Sequence, residues 1–292
     1  MRYSEAIQRF NEWNGVQSAE MTVTVYDSAL RQFGLYMQDG EIEDTTIDDV
    51  IRWFMLMKNL KWAQNAFLPK SAALRKFFNF YRMRGAKVLD PALIPVARKE
   101  HKVTTTVDEA TYAKVEQAML SDDDPTSRSR NMTILGMFWD TGIRVGELCN
   151  MSVENIDKDI RSALIRTEKA KHKRPFRQIY WSDKTRDHLR EWLTVRPGNK
   201  QGALFVSLDK RAVGHPITTR SVQRLIKVTA NQLKLTGVTC HTFRHSKAHR
   251  IIQSGGSSAD VMNILGHSNV SSTSRYLEMG GEELKNRAIS LM

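Results

Sequence analysis

Apolar side chains recur at three- and four-residue spacing through the first part of the chain, and this period restricts that part to packed amphipathic helices. Tyr3, Ile7 and Phe10 make one stripe, Tyr26, Leu30, Phe33 and Met37 a second, and Ile47, Val50, Ile51, Phe54 and Met57 a third. Thr46, with Asp49 at its third position, offers a cap for the third helix. A fourth helix runs through Leu74, Phe77, Phe78 and Tyr81 to a stop at Gly85, with Pro69 either in its first turn or kinking it. Asp90-Pro91, Pro95 and the polar residues from 97 to 105 then oppose continuous helix and read as a linker.

Beyond the linker the pattern changes. Thr106 with Glu109 forms an expected capping box that opens a new helix. Residues 129–140 read as a mostly buried helix through Met132, Ile134, Leu135, Met137, Phe138 and Trp139, stopped by Gly142. Residues 162–167 and 175–181 read as two strands around a basic tip that holds Lys169, Lys171, Lys173 and Arg174. Helices are expected at 183–195, 218–234, 242–253, 258–265 and 271–278, with an amphipathic piece near 281–291. The expected fold class is mainly α with a small β-sheet or hairpin, in two domains. A helical domain spans 1–95, a linker 96–106 and a mixed domain 107–292, and the 292 residues are enough for two cores.

Charge narrows the class of partner. Lys and Arg number 44 against 32 Asp and Glu, a formal charge of +12, and such an excess favours a polyanion. The excess is local: residues 1–50 hold 3 basic and 10 acidic side chains, and residues 51–100 hold 11 and 2. Arg52, Lys58, Lys61, Lys70, Arg75, Lys76, Arg82 and Arg84 on the third and fourth helices could line a DNA groove or form a merely solvated face. Cys149 and Cys240 are too few for a disulfide framework or a cysteine zinc site. The first residues lack an apolar signal core and no stretch has the apolar length to span a bilayer, so a soluble cytoplasmic, nucleoid-associated protein is expected.

Four islands carry chemistry: Arg144 within Thr141-Gly142-Ile143-Arg144-Val145-Gly146-Glu147-Leu148, His241-Thr242-Phe243-Arg244-His245, Leu265-Gly266-His267, and Tyr276. Two arginines, two histidines and a tyrosine suit attack on a phosphodiester, which needs fixed positive charge, proton donors and an oxygen nucleophile. A tyrosine phenol, with an ordinary pKa of about 10, is a poor nucleophile unless held in line with a phosphorus whose charge is clamped. Arg144 and Arg244 suit the clamp because a guanidinium stays protonated and donates two parallel hydrogen bonds. His241 and His267 could add donors or move the phenol proton.

In order and spacing these islands resemble the two boxes of the tyrosine recombinases, or phage integrases, and the resemblance extends over essentially the whole chain. It implies a two-domain DNA clamp: an N-terminal helical core-binding (SAM-like) domain and a C-terminal tyrosine-recombinase catalytic domain, nearest to Xer-like or simple integrase members. It implies Arg144, His241, Arg244, His267 and the nucleophile Tyr276 as catalytic residues, with a hairpin lysine protonating the leaving 5′ oxygen. Lys169 aligns with that lysine, although the usual flanking glycines are Glu168 and Ala170 here, and Lys171 is the alternative. Glu147 matches an acidic position and either orients active-site groups or supports Arg144. The implied reaction is site-specific DNA strand exchange through a 3′-phosphotyrosyl intermediate and a Holliday junction, for integration, excision or dimer resolution. It uses no cofactor. The implied partners are double-stranded DNA with paired inverted half-sites and a homo- or hetero-tetramer on synapsed DNA, with no membrane. A terminal segment, 280–292, would dock on a neighbouring protomer.

Other readings compete. A type IB DNA topoisomerase would share the nucleophile and clamp but rejoin the same strand, and a catalytically inactive DNA-binding regulator would need no tyrosine in register. His241, His245 and His249 fall at i, i+4 and i+8, but without Glu at 242 or a cysteine pair they do not make a metal motif, so no metal is expected.

Overall fold

The computed structural model describes residues 1–96, 105–167, 175–198 and 202–266. The chain divides into two compact units, Met1–Lys102 and Val103–Met292. The expected helices at 271–278 and 281–291 lie outside the described residues.

In the first unit four helices, α1 (Tyr3–Gln17), α2 (Glu20–Tyr36), α3 (Ile47–Asn59) and α4 (Phe67–Arg82), enclose an aromatic core. The apolar stripes meet there: Tyr3 packs edge-on to Phe33 with ring centres 5.6 Å apart, and Phe10 packs edge-on to Phe77 and Phe80 at 5.6 Å each. Thr46 caps α3 reciprocally, its hydroxyl accepting from the Asp49 N–H and the Asp49 carboxylate accepting from the Thr46 N–H. Pro69 is the third residue of α4, in the first turn, where a missing N–H breaks no intrahelical bond.

The second unit holds α5 (Glu109–Leu120), α6 (Pro125–Thr141), α7 (Val145–Cys149), strands β1 (Ser162–Arg166) and β2 (Phe176–Tyr180), α8 (Asp183–Val195), α9 (Thr219–Gln232), α10 (Cys240–Gln253) and α11 (Ser258–Leu265). Helix α6 is the axle, buried on most sides and packed against α5, α8 and α10. Phe138 and Trp192 are fully buried around it, with Phe205 and Phe243. The two strands pair antiparallel from Ser162 opposite Tyr180 to Arg166 opposite Phe176. Their alternation turns Ala163, Ile165, Arg177 and Ile179 inward and leaves Leu164, Phe176 and Tyr180 exposed.

Two expected helix starts are corrected. Helix α5 is capped by Asp108, whose carboxylate accepts from the Thr111 N–H at 2.8 Å, and not by Thr106 with Glu109. Glu109 is the first residue of the helix, too close to its start to reach back as a third-position acceptor. Helix α6 begins at Pro125, earlier than residue 129, because Asp124 caps the Thr126 and Ser127 N–H groups and Pro125 pre-sets the first turn. Among the described residues no helix is long and apolar enough to cross a membrane.

The α6–α8 contact depends on a glycine. A Cβ at Gly136 would stand 2.4 Å from Thr185 Oγ1, and Thr185 is buried and tied to Asp140 at 2.6 Å. Gly136→Ala is expected to lower the stability of the second unit by ~1–3 kcal/mol through overpacking, read as a lower denaturant midpoint, and an unchanged midpoint would contradict this packing.

Candidate active site

The site is built on two left-handed glycines that end helices. Gly142, at φ 60°, closes α6, and a Cβ there would meet Leu265 Cδ2 at 2.6 Å, so only glycine allows the end of α6 to approach the end of α11. Gly266, at φ 67°, closes α11 in the same way. The turn after Gly142 buries Ile143 and sets Arg144 immediately before α7.

Both arginines are anchored on these corners. Arg244, one turn into α10 and 6% exposed, donates from Nη1 to the Gly142 carbonyl at 2.8 Å and from Nη2 to the Leu265 carbonyl at 2.6 Å. Arg144 donates from Nη2 to the Gly266 carbonyl at 3.3 Å. Residues a hundred positions apart thus meet at the residues that precede His267. His241 lies in the first turn of α10, exposed, one turn before Arg244. His245 and His249 are half-buried.

Beneath Arg144 lies Glu147, whose side chain is fully buried. Its carboxylate accepts from the Arg144 N–H at 3.0 Å and from Arg144 Nη1 at 2.7 Å. On its other side Arg177 of β2 donates to both oxygens, from Nη1 at 2.9 Å and from Nη2 at 2.6 Å. Burial alone would raise the Glu147 pKa. The hydrogen bonds and charge of Arg177, and then of Arg144, overcome burial and hold it down at about 2. Sequence reading missed Arg177. The available signal was a cation on the inward face of a strand, a position that demands a buried anion. It also missed an exposed basic row on α9, Arg220, Arg224 and Lys227, at helical spacing.

The cations of the first unit are not equivalent. Arg52, Lys58 and Lys61 are exposed, Arg52 paired with Asp49. Lys70 is 6% exposed, donates to Gln32 Oε1 at 2.5 Å and lies 4.6 Å from the centre of the Trp62 ring, so it braces the bundle and does not line a groove. Lys76 donates to Asn14 and Ser18 at 2.7 and 2.8 Å. Arg75 donates to the Ile94 carbonyl at 2.9 Å, and Arg82 pairs with Asp90 at 2.5 Å. Arg84 is exposed, with its guanidinium over Phe80. Lys169, Lys171, Lys173, Arg174, His267 and Tyr276 lie outside the described residues. Cys149 and Cys240 are buried free thiols, and burial pushes Cys240 up to about 12.

Because folding lowers the Glu147 pKa from 4.5 to about 2, the pair stabilises the fold above pH 4.5 and loses that contribution as pH falls towards 2. The full contribution is on the order of 3 kcal/mol. Glu147→Gln is expected to cost ~3–5 kcal/mol near neutrality, since it leaves the buried Arg177 and the half-buried Arg144 without their anion, and the gap to wild type should close through the acid window. Denaturant unfolding at a series of pH values checks this, and a gap that is constant with pH contradicts the assignment.

Residues 109–282 match the model of the phage integrase family. A tyrosine recombinase XerC of Lactobacillus delbrueckii subsp. bulgaricus is 26% identical over 237 residues, 79% of this chain and 78% of the relative. A tyrosine recombinase XerC of Vibrio vulnificus is 30% identical over 226 residues, 75% of this chain and 68% of the relative. The fold is similar to that of the XerH site-specific recombinase bound to palindromic difH substrate, with a TM-score of 0.76 at 16% identity over 93% of this chain and 80% of that one. With the family model covering more than half of its length, the chain belongs to the phage integrase family, the tyrosine recombinases.

Proposed function

We propose that this chain is a site-specific recombinase that cleaves and rejoins DNA through a 3′-phosphotyrosyl intermediate and a Holliday junction. The carrying observation is the convergence of Arg144 and Arg244 on the Gly142 and Leu265-Gly266 corners, directly before His267. Arg144 is 17% exposed and, among the described residues, uses two of its five side-chain N–H groups on Glu147 and Gly266. The others are available to a non-bridging phosphate oxygen. The Tyr276 oxygen attacks phosphorus, the bond from phosphorus to the 5′ oxygen breaks, and the phenol proton passes to His241 or His267. Lys169, which lies between β1 and β2 in sequence, protonates the leaving 5′ oxygen. One phosphodiester replaces another, so the step is close to isoenergetic; attack by the strand's own 5′ hydroxyl reverses it, and attack by the 5′ hydroxyl of a partner strand breaks the phosphotyrosyl bond, frees Tyr276 and joins the exchanged strands. Membership of the family supports integration, excision or dimer resolution as the role, with paired inverted half-sites and a tetramer as the working assembly. Lys58, Lys61 and Arg84 remain the proposed phosphate contacts of the first unit.

Covalent capture from DNA of random sequence tests the reading and finds the target site in the same step. Full-length protein is mixed with a pool of nicked random duplexes, denatured, and the protein-bound DNA is sequenced. Wild type is expected to give adducts enriched in one sequence, and Tyr276→Phe none, with binding to that sequence kept. Absence of any wild-type adduct contradicts the proposal, and an adduct in Tyr276→Phe removes Tyr276 as the nucleophile.

The proton donor has its own test. Lys169→Ala should slow cleavage of the captured site by ~10²–10⁴-fold, and a 5′-thio leaving group, which needs less protonation, should recover most of that loss. Recovery by the thio substrate in Lys171→Ala alone reassigns the role to Lys171.

A further inference from the structure

We propose that Arg177 is a positioning residue of this active site: it holds the Glu147 carboxylate ionised and oriented, and through it fixes the Arg144 guanidinium against the Gly266 corner. The inference rests on the recombinase reading above. Its basis is geometric. Arg177 contacts three of the converging segments at once, with both terminal nitrogens on Glu147 at 2.9 and 2.6 Å and Nη1 also 3.3 Å from Thr167 Oγ1 at the base of the hairpin. At the third segment, a Cβ on Gly266 would stand 3.0 Å from Arg177 Nη1. The Arg177 side chain is 8% exposed and that of Glu147 0%, so the ion pair lies beneath the reaction surface and does not itself reach a phosphate.

Consider Glu147 without Arg177. Among the described residues, Arg177 from β2 and Arg144 from the start of α7 are charged groups that face its carboxylate. Removing the first takes away the bidentate cation that contributes most to holding this buried acid ionised, and burial then favours its neutral form. A protonated Glu147 loses one acceptor, and the Arg144 guanidinium loses the charge that aligns it. Arg177 thus keeps the clamp independent of pH. The bidentate contact matters as well as the charge, because a planar fork fixes the rotation of the carboxylate while a single ammonium does not.

The test uses full-length protein and the nicked duplex recovered by covalent capture, with single-turnover adduct formation at saturating DNA. Arg177→Met should bind that duplex within about twofold of wild type but form adduct more slowly. Its rate relative to wild type should fall about tenfold per pH unit on the acid side and recover in alkaline buffer, as Glu147 ionises again. Adding Glu147→Gln to Arg177→Met should flatten that ratio. Arg177→Lys should keep the flat ratio of wild type at a reduced rate. General loss of structure would not produce a pH-dependent ratio that a second substitution abolishes. A flat ratio for Arg177→Met, or Arg177→Lys at the full wild-type rate, overturns the proposal. If Arg177→Met does not fold, Arg177→Lys decides alone. Adduct formation by wild type with either overturning result refutes the positioning role and leaves the recombinase reading standing. A wild-type protein with no adduct refutes the recombinase reading instead.

Discussion

The carboxylate of Glu147 between two guanidiniums is the interaction around which the second unit's candidate site is built. An ion taken fully out of water is tolerated only when paired and hydrogen-bonded on every side, and here the partners come from the turn before α7 and from β2. The requirement is stringent enough to bring separate parts of the chain into register. It sets the hairpin against the Arg144 turn, and the same guanidinium of Arg144 reaches the end of α11. A buried ion pair of this kind need not add stability over an apolar core of the same shape. What it adds is a single permitted arrangement of the groups above it.

The first unit uses charge in another way. Its basic residues are numerous in sequence, but Lys70 lies over tryptophan rings and Lys76 ties α4 to the end of α1. Arg75 and Arg82 hold the segment that follows α4, through the Ile94 carbonyl and Asp90. A lysine stem that crosses an aromatic core and ends on an amide contributes packing area along its length and satisfies its ammonium at the tip. These residues explain how a bundle so rich in basic side chains stays closed.

What could be read from the sequence follows the range of the interaction. Local signals were legible: the Thr46 cap with Asp49, the stop of α6 at Gly142, and the two strands. Each is decided within a few residues. The start of α5 was misplaced because Thr106 and Asp108 are both capping residues and a two-residue choice cannot be made from type alone. Arg144 and Arg244 stand out by motif and spacing, and the structure brings both to the ends of α6 and α11. Arg177 was not, because on β2 the alternation runs against apolarity: Phe176 and Tyr180 face out and the arginine faces in. Only the position of Glu147, thirty residues away along the chain, makes that orientation favourable. Lys70 was misread for the same reason, since its partners Gln32, Trp53 and Trp62 sit on other turns of the bundle.

Two of the acceptors that hold Arg244 are main-chain carbonyls, those of Gly142 and Leu265. No side-chain replacement at either position deletes a carbonyl, so these two contacts are lost only if the backbone itself moves. Arg144 is held by one backbone acceptor and by the side chain of Glu147, which a single nucleotide change can remove. The two halves of the proposed phosphate clamp therefore differ in mutational robustness. Substitutions that silence this protein while leaving its fold recognisable should accumulate around the Arg144 turn first, and the Arg244 turn of α10 should be the last part of the site to decay.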